Sequence, residues 1–252
     1  MNILLLLAGS SSAFTKAGHV YPKSLVEVAG EAMIDKVLRS LDPLLRQGGN
    51  LIAAVRRDEN RAFHLGDVIK LVVPGTRLVE IESDTGGAAC TALVAIEHIN
   101  NDEPLIITNG DQVFDIDLGA AVADFKKRNL DGGTITFRGI HPRWSFVRLN
   151  DEGLVEEAAE KRPISRHATA GFYYFARGRD FVDAACAMLR KEASTDGLYY
   201  VCPAFNQMIL KGARIGVVEI DASEYHSLAT PAMVESYEAL RYPRARGPQS
   251  GA

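Results

Sequence analysis

The stretch "LLLLAGSSSAF", residues 4–14, decides the fold, because in it an apolar strand runs directly into a short loop of small residues. Many α/β proteins use this order of strand, loop and chain reversal to present backbone N–H groups to a phosphate. Phosphate loops are usually rich in glycine and often carry an arginine. Here a single glycine, Gly9, is followed by three serines and an alanine. The stretch therefore predicts a nucleotide site after the first strand. Whether that site is functional is left open.

Composition is typical of a soluble globular protein: 47% of the 252 residues are hydrophobic and 24% are charged. A net charge of −4 gives no electrostatic reason to expect nucleic acid or an anionic membrane as a partner. The apolar run at the start has no basic residue before it and is too short to span a bilayer, so it predicts a buried parallel strand. Cys90, Cys186 and Cys202 lie far apart without metal-ligand spacing, which is typical of reduced thiols in a cytoplasmic protein.

Strand-like and helix-like segments alternate through the first half of the chain. The predicted strands are residues 2–8, 50–55, 76–81 and 104–108, and the predicted helices are 31–46, 58–70 and 86–99. This alternation predicts a parallel sheet with helices on both faces.

The second half changes character, because short β-like runs separated by turn residues come before its helices. The β-like runs are "GGTITF", "SFVRLN", "LVEEAAE", "GFYYFA" and, later, "RIGVVEI"; the helical runs are "RDFVDAACAMLRKE", "PAFNQMILKG" and "PAMVESYEAL". No linker separates the halves. We therefore predict one α/β domain over residues 1–240 whose later part adds antiparallel strands, followed by a disordered tail over 241–252.

Three polar stretches follow predicted strands, at residues 9–23, 83–88 and 109–111. Ligands of open α/β sheets bind beyond the carboxyl ends of the strands, so all three can face one crevice. Each also has a plainer interpretation. Lys23 suits a phosphate but could be a solvated surface lysine, and Gly87 begins a helix that could be a simple junction. Asp111 suits Mg²⁺ but could cap a turn.

A fourth stretch, "EEAAEKRPISRHATAGFYYF", carries Glu160 and Lys161 beside a proline, with Gly171 at the start of a strand. On its own, this charged pair is better explained as part of a solvated edge strand. Trp144, the single tryptophan, is more often a core residue than a platform for a sugar ring.

Taken in order, these stretches resemble the sugar-phosphate nucleotidyltransferases, the sugar-nucleotide pyrophosphorylases, from Met1 to about Leu240. The segments that carry the resemblance are "LLAGSSSAF", "YPKSLVEVAGEAMIDKVL", "TGGAACTAL", "ITNGD", "AEKRPISRHATAGFYYF" and "HSLATPAMVESY". The resemblance implies a three-layer, Rossmann-like α/β fold of the GT-A-like type, with a mixed, mostly parallel sheet and an added antiparallel lobe that faces the acceptor.

The resemblance also implies a reaction. A phosphate oxygen of a sugar 1-phosphate, or of a similar small phosphate, attacks the α-phosphorus of an NTP and pyrophosphate leaves. The implied catalytic residues are Lys23, on the α-phosphate, and Asp111, on Mg²⁺. The implied nucleotide-binding residues are Ala8, Gly9, Gly87 and Ala88, to which we add Ser10, Ser11, Ser12 and Lys16 by hypothesis. The implied acceptor-binding residues are Ser145, Glu160, Lys161 and Gly171. Several family members are oligomers, so a homo-oligomer is left open.

Two segments depart from the family pattern. Ser11 and Ala13 stand where the phosphate loop of the family has its second glycine and its arginine, and Ser227 stands where many members have a second metal-binding aspartate. We hypothesise that Lys16 takes the place of the arginine and that the loop serines add hydroxyl donors. Two alternatives stay open: a nucleotide- or sugar-nucleotide-binding protein without turnover, and a glycosyltransferase that uses the "DID" motif at 115–117.

Overall fold

The computed structural model describes residues 1–242, so the predicted tail lies almost entirely outside the described residues. The strands are β1 Asn2–Leu6, β2 Glu27–Val28, β3 Glu31–Ala32, β4 Asn50–Arg56, β5 Arg77–Ile81, β6 Leu105–Asn109, β7 Gln112–Phe114, β8 Gly132–Arg138, β9 Ser145–Leu149, β10 Val155–Glu160, β11 His167–Phe175, β12 Ile215–Ile220 and β13 Tyr225–Ser227. The helices are α1 Ser12–Lys16, α2 Met33–Arg46, α3 Arg57–Phe63, α4 Leu65–Val72, α5 Ala88–Val94, α6 Ile96–Ile99, α7 Leu118–Lys127, α8 Gly178–Arg190, α9 Ala204–Ile209 and α10 Pro231–Arg241.

One large mixed sheet organises the described part of the chain. Its first half is parallel, in the order β6-β1-β4-β5, and β11 joins the edge of β6 in the antiparallel direction. Beyond β11 the sheet divides, with β9 and β10 on one branch and β8 and β12 on the other. This arrangement confirms the predicted α/β fold with its added antiparallel strands.

Helices cover both faces of the sheet and make three layers. Alternate residues of β1 point to opposite faces, so Ile3 and Leu5 pack in one core and Leu4 packs in the other. The first core is filled by α2 and α7, and the second by α5 and α8. None of the helices in residues 1–242 is long and apolar enough to cross a membrane.

Two predicted helices are each divided in two. The helix predicted over 58–70 breaks at His64, which has a left-handed φ of 54°, and the side chain of Asn60 accepts a hydrogen bond from Gly66 N (2.7 Å) at the start of α4. The helix predicted over 86–99 begins at Ala88 and breaks at Ala95. At each break the chain changes direction and stays in the same layer of helices.

Strand β11 bends where it changes neighbours. Its first residues pair with β9, at Ala168, whereas its last residues pair with β6, from Phe172 onward. Gly171 lies between these pairings with a φ of +64°, in the region that favours glycine. The bend separates β9 from β6 and leaves room for a cavity between them.

Candidate active site

A cavity of about 630 Å³ opens at the carboxyl ends of the parallel strands and extends to the antiparallel lobe. It is lined by residues from all three stretches that follow the strands, as the sequence predicts. Ten of the fourteen predicted site residues lie on its wall, and Ser227 also lines it; the ten are Ala8, Gly9, Ser10, Lys23, Gly87, Ala88, Asp111, Ser145, Glu160 and Gly171. One cavity of this size can hold two small ligands side by side.

An ion pair lies on the wall of the cavity. The Nζ atom of Lys23 lies 2.6 Å from Oδ2 of Asp111, and both side chains are largely buried. Pro22 holds an extended backbone just before Lys23, as predicted, and directs the chain into a short 3₁₀ turn at the crevice. The backbone oxygen of Asp111 accepts a hydrogen bond from Leu228 N (2.7 Å), which fixes the loop that follows β6. The predicted phosphate cation and the predicted metal ligand are therefore neighbours.

The part of the cavity predicted to bind the nucleotide contains a tight glycine turn. Gly87 has a φ of +113°, and a Cβ at this position would lie 2.5 Å from the backbone oxygen of Tyr199. Tyr199 N donates to Gly86 O (2.7 Å) and Ala89 N donates to Tyr199 O (2.9 Å), so the turn is fastened to the second half of the chain. This packing leaves a flat backbone surface at Gly87 and Ala88, which suits a planar ring.

The part of the cavity predicted to bind the acceptor has a buried carboxylate. Glu160, at the end of β10, is the cross-strand partner of Ser145, at the start of β9, and accepts a hydrogen bond from its hydroxyl. Burial raises the pKa of Glu160, although the Ser145 hydroxyl and the positive charge of Lys161 lower it in part. A buried carboxylate with free acceptor capacity is suited to bind the hydroxyl groups of a small polar ligand.

Gly171 connects the two sides. A Cβ there would lie 2.6 Å from Asn109 Nδ2 and from Gln112 Oε1, and the Gln112 amide donates to Gly171 O (2.9 Å). Because Asp111 lies between Asn109 and Gln112 in the chain, this contact sets the position of the Asp111 loop against the bend of β11.

The phosphate loop is built differently from its prediction. Ser10 lines the cavity, but the Ser11 hydroxyl donates to Glu59 Oε1 (2.7 Å) and accepts from Lys23 N (3.0 Å). Ser11 therefore fastens the loop to α3 and to the Lys23 turn. Ser12 and Lys16 are exposed on α1 and do not line the cavity.

Lys161 also lies outside the cavity wall. Its Nζ atom pairs with Asp196 (3.2 Å) and lies 5.3 Å from the ring centre of Tyr200, which does line the cavity. Lys161 therefore does not itself line the cavity, although Tyr200 beside it does.

Comparison with known proteins agrees with this arrangement. The sequence profile of the family described as nucleotidyl transferase matches residues 3–209. The chain belongs to the nucleotidyl transferase family. The resemblance to sugar-phosphate nucleotidyltransferases is thereby confirmed at the level of the family, together with the expected class of enzyme.

Individual relatives are distant. The bifunctional protein GlmU of Methanococcus aeolicus is 25% identical over 182 residues, which cover 69% of this chain but only 40% of that protein. The chain thus spans well under half the length of this curated relative.

Two solved structures share the fold. A nucleoside-diphosphate-sugar pyrophosphorylase from Vibrio cholerae aligns with a TM-score of 0.81 at 23% identity, over 94% of this chain and 99% of that chain. A protein assigned as a glucose-1-phosphate thymidylyltransferase from Bacillus anthracis, solved with sucrose, aligns with a TM-score of 0.74 at 18% identity, over 98% and 97% of the two chains. At these identities the likeness establishes the fold.

The donor set of this nucleotidyltransferase fits a magnesium ion that arrives on a nucleotide. In residues 1–242 no three His, Cys, Asp or Glu side chains gather into a metal-binding cluster. Asp111 supplies one carboxylate beside Ser227, which is opposite Gln112 in the pairing of β13 with β7. Mg²⁺ is often held by one or two carboxylates together with substrate phosphates and waters, so a single aspartate is sufficient.

The two aspartates of the "DID" motif make structural contacts and do not face the cavity. Asp117 caps α7 and accepts hydrogen bonds from Gly119 N (2.8 Å) and Ala120 N (3.2 Å). Asp115 pairs with His226 (2.7 Å) and with Arg241 of α10. Neither aspartate lines the cavity, so the motif on which a glycosyltransferase interpretation depends stabilises the fold.

Several cavity residues were not singled out from the sequence, or were given a structural role. Among those with polar side chains are Gln112, Arg143, Thr169, Tyr173, Tyr200 and Tyr225. Trp144, expected in the core, does pack against the core but also lines the cavity. The adjacency of Arg143 and Trp144 to Ser145 in the sequence is the one signal that could have indicated both.

Proposed function

We propose that this nucleotidyltransferase moves a nucleoside monophosphate from an NTP to a sugar 1-phosphate or a similar small phosphate. In the reaction an acceptor phosphate oxygen forms a bond to the α-phosphorus, and the bond from that phosphorus to the bridging oxygen of the β-phosphate breaks to release pyrophosphate. Catalysis of this kind depends on positioning and charge neutralisation, without a covalent intermediate on the protein.

The observation that supports the proposal best is the Lys23–Asp111 pair between two different surfaces of one cavity. The glycine turn at Gly87, suited to a base, and Glu160, suited to sugar hydroxyls, line the same cavity as the pair. A reaction between two ligands needs charged groups where the ligands meet, and the proposal assigns this role to the pair.

The pair also defines what the chain does when a nucleotide binds. In the proposed reaction Lys23 exchanges Asp111 for the α-phosphate, and the freed Asp111 carboxylate would hold Mg²⁺. A bound metal would polarise the phosphoryl oxygens and neutralise the developing charge. Gly9 keeps this exchange sterically open, because a Cβ there would lie 3.3 Å from Nζ of Lys23.

A second candidate function is nucleotide or sugar-nucleotide binding without turnover, and the loop contacts favour it. Ser11 is occupied by Glu59, Ala13 carries no charge, and Lys16 lies off the cavity wall, so the phosphate loop presents no cation to the β- and γ-phosphates.

The experiment that separates the two functions is a screen for pyrophosphate release with Mg²⁺, with each NTP tested against a panel of sugar 1-phosphates. Release that requires one NTP and one acceptor together supports the transferase. Saturable nucleotide binding without release from any pair overturns it in favour of the binding protein.

A further inference from the structure

The charges on the cavity wall are distributed unevenly. Among the described lining residues, Lys23 and Arg143 are the positively charged side chains, and Asp84, Asp111 and Glu160 are the negatively charged ones. Asp84 is paired with Arg56 (2.6 Å) from behind the wall, and Lys23 is paired with Asp111. Within residues 1–242, no carboxylate pairs with Arg143.

Arg143 is nevertheless held in place. Its guanidinium lies over the ring of Trp144, with Cζ 4.4 Å from the ring centre. Trp144 packs edge-on against Phe137 (5.4 Å between ring centres) and against Tyr225 (5.6 Å). A guanidinium stacked on a fixed aromatic ring loses less conformational entropy when it binds a ligand than a free surface arginine does.

Arg143 lines the same cavity as Lys23 and Asp111 and is close in sequence to the predicted acceptor residue Ser145. It comes two residues before Ser145, the partner of Glu160. It also acts on the hydroxyl of Tyr225: burial raises the pKa of that hydroxyl, the negative charge of Asp111 raises it further, and the positive charge of Arg143 lowers it. Arg143 and Asp111 therefore lie close enough to the same hydroxyl group for both charges to act on it.

We propose that Arg143 binds the phosphate group of the acceptor and orients it beside Asp111. An acceptor phosphate must come to this place to attack an α-phosphate at Lys23, and it needs a cation that is not already neutralised. The planar guanidinium binds two phosphate oxygens at once, which leaves the third free to attack. This inference rests on the proposed function, since it assigns the acceptor of that reaction to a particular side chain.

The test is a comparison of Arg143→Gln and Arg143→Lys with the wild-type protein. For the best substrate pair of the pyrophosphate screen, Arg143→Gln is expected to raise the acceptor KM about 10- to 100-fold and to leave the NTP KM within about twofold. Arg143→Lys keeps the charge without the planar guanidinium, and its acceptor KM is expected to lie between those of the wild type and Arg143→Gln. Arg162→Gln is the matched control, because Arg162 is an exposed cation paired with Glu157 outside the cavity.

Binding of the acceptor can also be measured without turnover. Trp144 is the single tryptophan of the chain and lies under Arg143, so its fluorescence is expected to respond when glucose 1-phosphate or another sugar 1-phosphate of the panel binds. Calorimetry on the same samples gives the affinity independently. Wild-type protein is expected to bind the sugar phosphate at least 10-fold more tightly than the unphosphorylated sugar, and Arg143→Gln is expected to remove this difference.

The outcomes separate the two proposals. No pyrophosphate release with intact, Arg143-dependent binding of a sugar phosphate overturns the proposed reaction and supports the role of Arg143. Turnover with an unchanged acceptor KM in Arg143→Gln, a rise confined to the NTP KM, or failure of the wild type to bind any sugar phosphate of the panel overturns the role of Arg143.

Discussion

Lys23 and Asp111 neutralise each other at the centre of the cavity, and this has a consequence for each of them. Both charges are largely removed from water, and each is the nearest partner of the other at 2.6 Å. Any ligand that binds Lys23 must also supply a new partner for the Asp111 carboxylate, as a nucleotide with its magnesium ion does. In the proposed function, the pair thus links nucleotide binding to metal binding within a single exchange.

Asp111→Asn is expected to lower turnover by at least ~10²-fold, because the variant loses the carboxylate proposed to hold Mg²⁺. The same change releases Lys23, so binding of NTP in the absence of Mg²⁺ is expected to tighten. Steady-state kinetics and calorimetry measure the two effects. Asp151→Asn, in the exposed turn after β9, is the control, and equal loss of turnover in both variants would contradict the role of Asp111.

Glu160→Gln is expected to raise stability and lower acceptor affinity together. Because burial raises the pKa of Glu160 above its ordinary value near 4.5, the folded protein binds this proton more tightly than the unfolded chain. The contribution of Glu160 to stability is therefore greatest at acidic pH and falls as the pH rises through its raised pKa. The variant is expected to have a higher Tm than the wild type at pH 7, a difference that shrinks toward pH ~4.

The functional half of this prediction is a roughly 10-fold or larger rise in the acceptor KM, since an amide oxygen accepts hydrogen bonds more weakly than a carboxylate. Glu152→Gln, in an exposed turn, is the control for both measurements. A Tm difference that is constant from pH ~4 to 7 would show that ionisation of Glu160 does not act on stability.

Ser11→Ala is expected to cost about 1–2 kcal/mol of stability and to slow turnover. The hydroxyl joins Glu59 to the backbone of Lys23, and its removal leaves a half-buried carboxylate without its donor. Denaturant unfolding and pyrophosphate release measure the two effects. Ser12→Ala, one residue along on the exposed side of α1, should change neither. If Ser11→Ala also changed neither, the contact would have no role in holding the loop.

At the scale of elements, the bend of β11 determines how the antiparallel lobe meets the parallel half. The positive φ of Gly171 and its close approach to Asn109 and Gln112 act at the same point. The bend is therefore in close contact with residues on either side of Asp111 in the chain.

Gly171→Ala tests this link. The new Cβ is strained by the backbone angle and also meets Asn109 and Gln112 at 2.6 Å, so we expect loss of about 2–4 kcal/mol of stability and loss of most turnover. Gly153→Ala has the same kind of backbone angle, with a φ of +74°, but open space around it. The control should lose only the strain component, about 1 kcal/mol, and keep its turnover. Equal losses in the two variants would mean that the packing at Gly171 carries no weight.

Prediction from the sequence was accurate where local chemistry decides the outcome and failed where distant residues do. The apolar run of β1 and the alternation after it were enough to predict the parallel half of the sheet. The break at His64 depends on a side-chain cap from Asn60, and periodicity does not show such a cap. Likewise, the loop serines were expected to face a phosphate, but Ser11 is bound by Glu59, 48 residues further along the chain.

At the scale of the whole molecule, the two halves of the chain share one cavity and neither half closes it alone. The parallel half supplies the phosphate loop, the glycine turn and Asp111, whereas the antiparallel lobe supplies Glu160 and Arg143. Tyr199, from the second half, fastens the glycine turn of the first by two backbone hydrogen bonds. In the proposed reaction, this shared cavity holds both ligands.

The most direct test of this account follows the α-phosphate itself. An NTP labelled at the α-phosphorus is incubated with Mg²⁺, the acceptor found in the pyrophosphate screen and either wild-type protein or Asp111→Asn, and the products are separated. We predict that the label moves into a sugar nucleotide only when acceptor and wild-type protein are both present. Label that stays in the NTP, or that appears as free nucleoside monophosphate whether or not acceptor is added, would contradict the central claim that this cavity joins two ligands.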